Sequence, residues 1–253
     1  MLVRYRAGPT IWTTFERMNL YFSTDLAPCP YLENRLERRL VVSLENEQAV
    51  GSYDSLTLAG FRRSQNYAYR PVCPGCNACV PIRIPVNKFI MTRSWRRTLR
   101  QNADLVAAEK PSKATEEQFM LFERYLNSRH ADGGMASMGW NEYRAMIEDS
   151  PKNSRIIEWR YADGALAGVS ITDRFRSGLS GVYKFFDPDG AKRSLGTLII
   201  LWHVQKASEL GLPYVYLGYW IAGSPKMDYK ARFRPLEHFT SRGWQPLPKP
   251  ETV

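Results

Sequence analysis

Apolar and polar residues alternate in short runs over the first part of this 253-residue chain, a pattern typical of β-strands. The pattern is clear between residues 21 and 69, as in Arg39-Leu-Val-Val-Ser-Leu. The run over 67–86 contains four prolines and three cysteines, so it cannot be helical. It predicts a tight turn followed by an extended edge strand. We therefore expect a small, cysteine-bearing region at the N-terminal end of the fold.

Helical periodicity follows in the middle of the chain. Thr92 is well placed to cap a helix that continues to about Ala107, with Pro111 beyond its end. Thr115 and the two glutamates after it predict the start of a second helix, and residues 141–147 predict a short third one.

The second half of the chain returns to alternation. We expect three strands, one helix and a fourth strand, over residues 155–161, 165–173, 179–186, 194–210 and 214–220. Asp163-Gly164 is a typical hairpin turn between the first two strands. The order β-β-β-α-β predicts an α+β fold in which a helix packs on one face of a sheet.

The composition, with 44% hydrophobic and 24% charged residues, is that of a folded protein. No apolar run reaches the roughly 18–20 residues of a membrane-spanning helix, and the first residues lack the apolar stretch of a secretory signal. Four cysteines are too few for a disulfide scaffold in a chain of this length. We therefore expect a cytoplasmic protein with no membrane partner.

Positive charge is concentrated in one part of the chain. Lysine and arginine number 35 against 25 acidic residues, a net charge of +10. No acidic residue lies between Asp54 and Asp104, whereas this stretch contains nine lysines and arginines. Such a segregated block predicts an anionic partner, with nucleic acid as the first candidate.

Four of these cations, Arg93, Arg96, Arg97 and Arg100, have the spacing i, i+3, i+4 and i+7. On a helix they share one face, and the planar guanidinium group suits phosphate well. We expect this arginine face to bind nucleic-acid phosphates. The alternative is a solvated face that carboxylates from elsewhere in the fold neutralise. Trp95 lies off this face and is expected to pack in the core, with base stacking as the alternative.

Three cysteines, Cys73, Cys76 and Cys79, lie within seven residues, and Cys29 occupies a similar proline-rich segment. Four thiolates match the ligand sphere of zinc or of an iron–sulfur cluster, and the spacing does not distinguish the two. The alternatives are buried reduced cysteines, a redox-active pair or, less readily, a catalytic nucleophile. A site with four cysteine ligands requires that Cys29 converge on the other three, whereas the 73–79 trio alone would need an external ligand.

Two segments beyond strand ends combine aromatic and charged side chains. The first is Tyr183-Lys-Phe-Phe-Asp-Pro-Asp, and the second follows Leu217 and carries Lys226 and Lys230. Loops at strand ends often hold binding sites, so we expect a pocket for an acidic group here. The alternative is a surface loop that covers the sheet edge. Arg193-Ser-Leu-Gly-Thr has only part of the glycine-rich loop of coenzyme-A acetyltransferases, which disfavours that activity.

Several long motifs together resemble one enzyme family. The segment Gly60-Phe-Arg-Arg-Ser-Gln-Asn-Tyr-Ala-Tyr-Arg-Pro-Val-Cys-Pro-Gly-Cys is similar to the N-terminal signature of the protein N-terminal aminoacyl transferases. Phe186-Asp-Pro-Asp, Ser194-Leu-Gly and Gly218-Tyr-Trp-Ile are similar to their C-terminal signatures. The nearest branch is that of the bacterial aspartate/glutamate leucyltransferases, which are related to the arginyl-tRNA–protein transferases.

The resemblance implies that leucine, or arginine, passes from charged tRNA to the α-amine of proteins that begin with Asp or Glu. This modification marks those proteins for degradation. The partners are then aminoacyl-tRNA and acceptor proteins. The resemblance also implies a GNAT-like acyltransferase domain, which we expect at 86–253, after the cysteine-bearing region at 1–85. The rival function is a non-catalytic RNA- or cluster-binding module.

We expect individual side chains of this protein to have specific roles in the reaction. Because the aminoacyl ester is already activated, no cofactor is required for the chemistry, even if the cysteines hold zinc or a cluster. Asp187 is a candidate for contacting the acceptor's ammonium group, and Tyr219 for stabilising the oxyanion. Four cations are candidates for binding the acceptor's acidic side chain: Lys226, Lys230, Arg62 and Arg63.

Overall fold

The computed structural model describes residues 21–45, 47–131, 133–151, 153–225 and 227–248. The helices in these ranges are α1 (Glu47–Leu58), α2 (Arg93–Gln101), α3 (Glu116–Arg129), α4 (Trp140–Glu148) and α5 (Leu195–Glu209). The strands are β1 (Tyr21–Ser23), β2 (Ala27–Pro28), β3 (Leu36–Glu37), β4 (Arg39–Ser43), β5 (Arg62–Ser64), β6 (Tyr67–Pro71), β7 (Val80–Pro85), β8 (Val106–Lys110), β9 (Ser154–Arg160), β10 (Leu166–Arg174), β11 (Gly178–Phe186), β12 (Tyr214–Trp220), β13 (Glu237–Thr240) and β14 (Gly243–Pro246). None of these helices is long and apolar enough to cross a membrane.

A large sheet with the strand order β14-β13-β7-β12-β11-β10-β9-β8 forms the centre of the fold. A second sheet has the order β1-β4-β6-β5, and β2 pairs with β3 in a separate hairpin. Strands β11 and β12 are parallel and are connected through α5, whereas β9, β10 and β11 are antiparallel. This β-β-β-α-β order confirms the predicted α+β architecture.

Strand β7 lies in the interior of the large sheet, between β12 and β13, so the prediction of an edge strand is wrong. The short strand β13 pairs only with Ile82 and Arg83. Pro81 and Pro85 lie beyond this pairing, where a missing N–H donor breaks no ladder to β13. Strand β7 ends at residue 85 and belongs to the large sheet. A domain boundary placed after residue 85 would therefore assign one strand of that sheet to the N-terminal region.

Helix α2 ends at Gln101, earlier than the predicted end near residue 107. Thr92 caps the helix as predicted, because its Oγ1 accepts a hydrogen bond from the backbone N–H of Trp95. The side chain of Asn102 then donates to the carbonyls of Thr98 and Arg193 and holds the turn. The chain continues into β8, which pairs with β9, so tertiary pairing overrides local helix propensity here.

Helix α1 lies in a segment where alternation predicted strands. Gly51 is a weak helix former, and Tyr53 and Leu56 supply a short buried face. These two residues pack in a cluster with Val42 and Phe175. This cluster joins the four-stranded sheet to the large one.

Helices cover both faces of the large sheet around β11. Helix α3 begins with the predicted Thr115 cap, closed by Gln118 in a capping box. It packs on β10 and β11, whereas α5 packs on β11 and β12. Tyr183 contacts Phe122 of α3, and the next residue, Lys184, reaches the start of α5. Alternate side chains of β11 thus face the two helices.

Candidate active site

Strands β11 and β12 separate within the large sheet. Their parallel pairing covers only residues 178–180 against 214–216. Further along β11, the carbonyl of Val182 accepts a hydrogen bond from Nη2 of Arg62 at 2.8 Å instead of one from β12. We call the space between the diverging strands the strand gap, and side chains from other elements enter it.

Arg62 reaches the strand gap from β5, a strand of the four-stranded sheet. Its side chain lies directly on Gly218 of β12. A Cβ atom added to Gly218 would be 3.2 Å from Cδ and 3.3 Å from Nε of Arg62. Gly218 also has φ +69°, a conformation that strains residues with a side chain. Residue 218 must therefore be glycine for two reasons, its backbone conformation and the approach of Arg62.

Lys230 approaches the same part of β12 from the 3₁₀ helix Asp228–Arg232. Its Nζ donates to the carbonyls of Tyr219 at 2.7 Å and of Leu217 at 3.0 Å. Burial lowers the pKa of Lys230 well below its ordinary value, and the charge of Arg62 lowers this pKa further.

A third cation, Lys184 of β11, lies close to Lys230. Its Nζ donates to the carbonyl of Gly196 at 2.9 Å and is 5.3 Å from the centre of the Tyr229 ring. Burial lowers the pKa of Lys184 to about 7. The charge of Lys184 in turn lowers the pKa of Lys230, which places the two ammonium groups within electrostatic reach of each other.

We call Arg62, Lys184 and Lys230 the cationic pocket. In the described ranges, no carboxylate lies within salt-bridge distance of any of the three. Their hydrogen bonds go to neutral backbone carbonyls. Partly buried positive charge without a counterion favours the binding of an anion, so the pocket is suited to a carboxylate or phosphate group.

Tyr219, the expected oxyanion donor, is buried in the structure. Its hydroxyl donates to the backbone carbonyls of Tyr69 at 2.8 Å and Gly60 at 3.2 Å. A phenol has one proton to donate, so this hydroxyl ties β12 to the N-terminal sheet and has no free proton for an oxyanion.

Asp187, the expected partner of an ammonium group, follows the end of β11. Its carboxylate accepts hydrogen bonds from Tyr161 Oη at 3.1 Å and from Arg124 Nη2 at 2.9 Å. The backbone N–H of Asp189 also donates to it at 3.2 Å. Oδ1 accepts two of these bonds and Oδ2 accepts one, so Oδ2 keeps a position at which an ammonium group can donate.

Arg63 does not line the cationic pocket, although it is adjacent to Arg62 in sequence. Its guanidinium makes a two-bond ion pair with Asp173, at 2.7 and 2.8 Å, and both side chains are fully buried. Tyr53 and Ser154 complete this buried network. Successive residues of a strand point to opposite faces, so Arg62 enters the strand gap and Arg63 enters the core. The structure thus gives Arg63 a structural position instead of the expected substrate-binding one.

The four cysteines are half-buried, with Cys29 beside the β2–β3 hairpin and the other three in the loop before β7. Burial, together with the neighbouring Cys29, Cys73 and Cys76, raises the pKa of Cys79 to about 11. All four thiols therefore lie in one region of the fold. Among the described residues, however, no three Cys, His, Asp or Glu side chains form a ligand set for a metal ion, so we assign no step to a metal.

The arginine face of α2 is formed as predicted. Arg93, Arg96, Arg97 and Arg100 are all exposed. Over the part of the chain that the structure describes, none of them forms a salt bridge, so no carboxylate arrives to neutralise the face. Trp95 is buried and stacks on Phe233 with ring centres 4.8 Å apart, the expected core packing.

Sequence reasoning placed Lys230 at this site but did not select Lys184. Lys184 belongs to the Tyr183-Lys-Phe-Phe motif. Strand alternation alone would have placed its side chain on the other face of the strand from that of Tyr183. The proximity of Lys184 to Lys230 has no sequence signal, because the two residues are far apart in the chain. Lys226 lies outside the described residues.

Comparison with known proteins supports one family over nearly the whole chain. Residues 27–97 match the family described as arginine-tRNA-protein transferase, N terminus, and residues 117–240 match the C terminus of the same family. The chain is 50% identical over 230 residues to the aspartate/glutamate leucyltransferase of Paramagnetospirillum magneticum, covering 91% of this chain and 94% of that protein. It is also 50% identical over 231 residues to the enzyme of that name from Granulibacter bethesdensis, covering 91% of this chain and 86% of that protein.

Among solved structures, the C-terminal domain of a putative lysylphosphatidylglycerol synthetase from Agrobacterium fabrum matches with a TM-score of 0.48 and 13% identity. The match covers 78% of this chain and 63% of that one. The two family matches together span more than half of the chain, and the relatives at 50% identity cover most of it. The chain therefore belongs to the arginine-tRNA-protein transferase family.

Proposed function

We propose that this protein transfers leucine from leucyl-tRNA to the α-amine of proteins that begin with Asp or Glu. The observation that carries the proposal is the cationic pocket in the strand gap, which lacks a carboxylate of its own among the described residues. An acceptor that begins with Asp or Glu supplies this carboxylate. The names of the relatives, aspartate/glutamate leucyltransferase, support both the donor and the acceptor.

The chemistry asks little of the protein beyond alignment. The aminoacyl ester of tRNA is already activated, and the acceptor's α-amine has a pKa near 7.7–8.0, so part of it is neutral at pH 7. We assign Arg62 and Lys230 to the acceptor's side-chain carboxylate, which fixes the position of the neighbouring α-amine. Holding the amine and the ester in contact converts a bimolecular reaction into an effectively intramolecular one.

The arginine face of α2 is our candidate for the tRNA site. It contains Arg93, Arg96, Arg97 and Arg100, and it spans roughly 10 Å at about 1.5 Å rise per residue. This length suits neighbouring phosphates along one strand. The face is exposed and has no carboxylate partner in the described ranges, so its positive charge is available to the nucleic acid.

The double variant Arg96→Ala, Arg100→Ala is expected to weaken the binding of cognate and non-cognate tRNA equally, because phosphate contacts carry no sequence information. Each arginine that meets a phosphate should flatten the slope of log affinity against log salt by roughly 0.7–0.9. The measurement is a salt titration of tRNA binding, with the exposed Arg144→Ala, on α4, as the control. An unchanged affinity and slope in the double variant would remove the arginine face from the tRNA site.

The proposed function is tested by mixing the protein with labelled leucyl-tRNA or arginyl-tRNA and peptides that begin with Glu, Asp, Gln or Ala. We expect transfer from leucyl-tRNA to the Glu and Asp peptides, and about 100-fold slower transfer to the Gln peptide, which leaves the pocket's charges unpaired. Transfer from arginyl-tRNA alone would change the donor. Binding of tRNA without transfer to any peptide would favour the non-catalytic RNA-binding module.

A further inference from the structure

We propose that Lys184 accepts the proton that the acceptor's α-ammonium group must lose, and that the acceptor's acidic side chain increases the proton affinity of Lys184. The inference rests on the proposed function. It adds to that function a catalytic residue whose basicity depends on the side chain of the bound acceptor.

The position of Lys184 is the first argument. Its Nζ lies in the strand gap, donates to one carbonyl, that of Gly196, and is flanked by the ring of Tyr229. Lys230, by contrast, donates to two carbonyls of β12. A neutral amine with one such bond keeps both its lone pair and one N–H free, so Lys184 can contact an acceptor while it takes a proton.

The carboxylate and the α-amine of an acidic acceptor are only a few bonds apart. In an N-terminal aspartate, three bonds separate the α-nitrogen from the carboxylate carbon, and in glutamate four bonds do. A carboxylate on Arg62 and Lys230 therefore brings the α-amine into the same small pocket. Lys184 is the remaining cation of that pocket, and its charge already affects Lys230.

Charged and titratable groups from several elements surround Lys184. Arg62 of β5 is positive, and Lys230 of the 3₁₀ helix has a pKa that burial and the charges of Arg62 and Lys184 lower well below its ordinary value. Tyr229, with a pKa raised by burial to about 12, and His203 of α5, with a pKa lowered by burial to about 4, are neutral at pH 7. Burial holds the pKa of Lys184 near 7, so a large fraction of this side chain is neutral at pH 7. A bound carboxylate places a negative charge beside Lys184 and raises this pKa, so Lys184 takes up a proton more readily when an acidic acceptor is present.

The other titratable groups near β11 and β12 are less available. The carboxylate of Asp187 already accepts from Tyr161 and Arg124, and the hydroxyl proton of Tyr219 is donated to backbone carbonyls. A general base works best when its pKa lies near the working pH, which Lys184 satisfies.

The α-ammonium group gives one proton to the neutral amine of Lys184, and the freed amine attacks the ester carbonyl of aminoacyl-tRNA. The new C–N bond forms as the bond from the carbonyl carbon to the ribose oxygen breaks. The ribose oxygen leaves with the amine's second proton, and Lys184 returns its own proton to water.

The test compares Lys184→Arg and Lys184→Met across pH 6–9, with kcat/KM measured on a Glu-starting peptide. If Lys184 is the base, arginine cannot replace it, and both variants lose about 10²- to 10⁴-fold at pH 7. The loss should shrink as pH rises through 7.7–8.0, where the acceptor's amine becomes neutral unaided. Arg variant activity close to wild type, or a loss that is equal at all pH values, would overturn the assignment.

A second measurement tests the role of the acidic side chain. With wild-type protein, the pH at which kcat reaches half its maximum should be higher for a Glu-starting peptide than for a Gln-starting one, because the bound carboxylate raises the pKa of Lys184. An identical midpoint would overturn this part of the inference.

Lys113→Met, at an exposed lysine, is the matched control for the Lys184 variants. Their tRNA affinity and thermal midpoints confirm that each variant is folded. Absence of transfer by the wild-type protein would instead count against the proposed function itself.

Discussion

Replacement of Arg63 by alanine is expected to lower the free energy of unfolding by about 3–5 kcal/mol, because it leaves the charge of Asp173 buried without its partner. Arg63 donates to both carboxylate oxygens of Asp173, and Tyr53 donates to one of them. Urea unfolding followed by circular dichroism measures the loss. Asp173→Asn should destabilise the fold in the same way, since the guanidinium group then lacks its counterion.

Two controls separate the ion pair from general sensitivity to mutation. Arg100→Ala, at an exposed arginine, should change stability by less than about 0.5 kcal/mol. The double variant Arg63→Met, Asp173→Leu removes both charges together and should recover much of the loss, as apolar replacements of buried pairs often do. A single Arg63→Ala variant that is as stable as wild type would show that the pair contributes little to the fold.

Replacement of Arg62 by alanine is expected to lower kcat/KM for Glu- and Asp-starting peptides by about 30- to 5000-fold, the equivalent of roughly 2–5 kcal/mol for truncating one member of a buried charge pair. The reason is that Arg62 is the proposed partner of the acceptor's carboxylate in the strand gap. The measurement is transfer from labelled leucyl-tRNA at several peptide concentrations. The affinity for tRNA should not change.

Gly218→Ala offers an independent route to the same defect. The new methyl group would lie 3.2 Å from Cδ of Arg62 and would displace the guanidinium, with added strain from φ +69°. Arg70→Ala, at a half-buried arginine of β6 that packs on Phe61, is the matched control and should keep its activity. Loss of tRNA binding in Arg62→Ala, with peptide selectivity intact, would place Arg62 in the nucleic-acid site instead.

The features that the sequence alone predicts are those with local causes. The caps at Thr92 and Thr115 depend on a side chain and a backbone N–H three residues later. The arginine face of α2 depends only on helical spacing. Strand β12 and the strands of the β9–β10–β11 meander follow from alternation and turn residues, and their bounds match the prediction within two residues.

The sequence by itself therefore determined the α+β order of elements, the exposed arginine face and the family signatures. Tertiary structure alone decided which side chains meet in the strand gap. Arg62 and Arg63 look equivalent in sequence, yet one binds the carbonyl of Val182 and the other the buried carboxylate of Asp173, each more than 100 residues away. The same holds for β7, whose prolines predicted an edge but which lies between β12 and β13. The physical reason is that pairing and burial between distant segments are decided by the whole core, and these contacts leave no periodic trace in the neighbouring sequence.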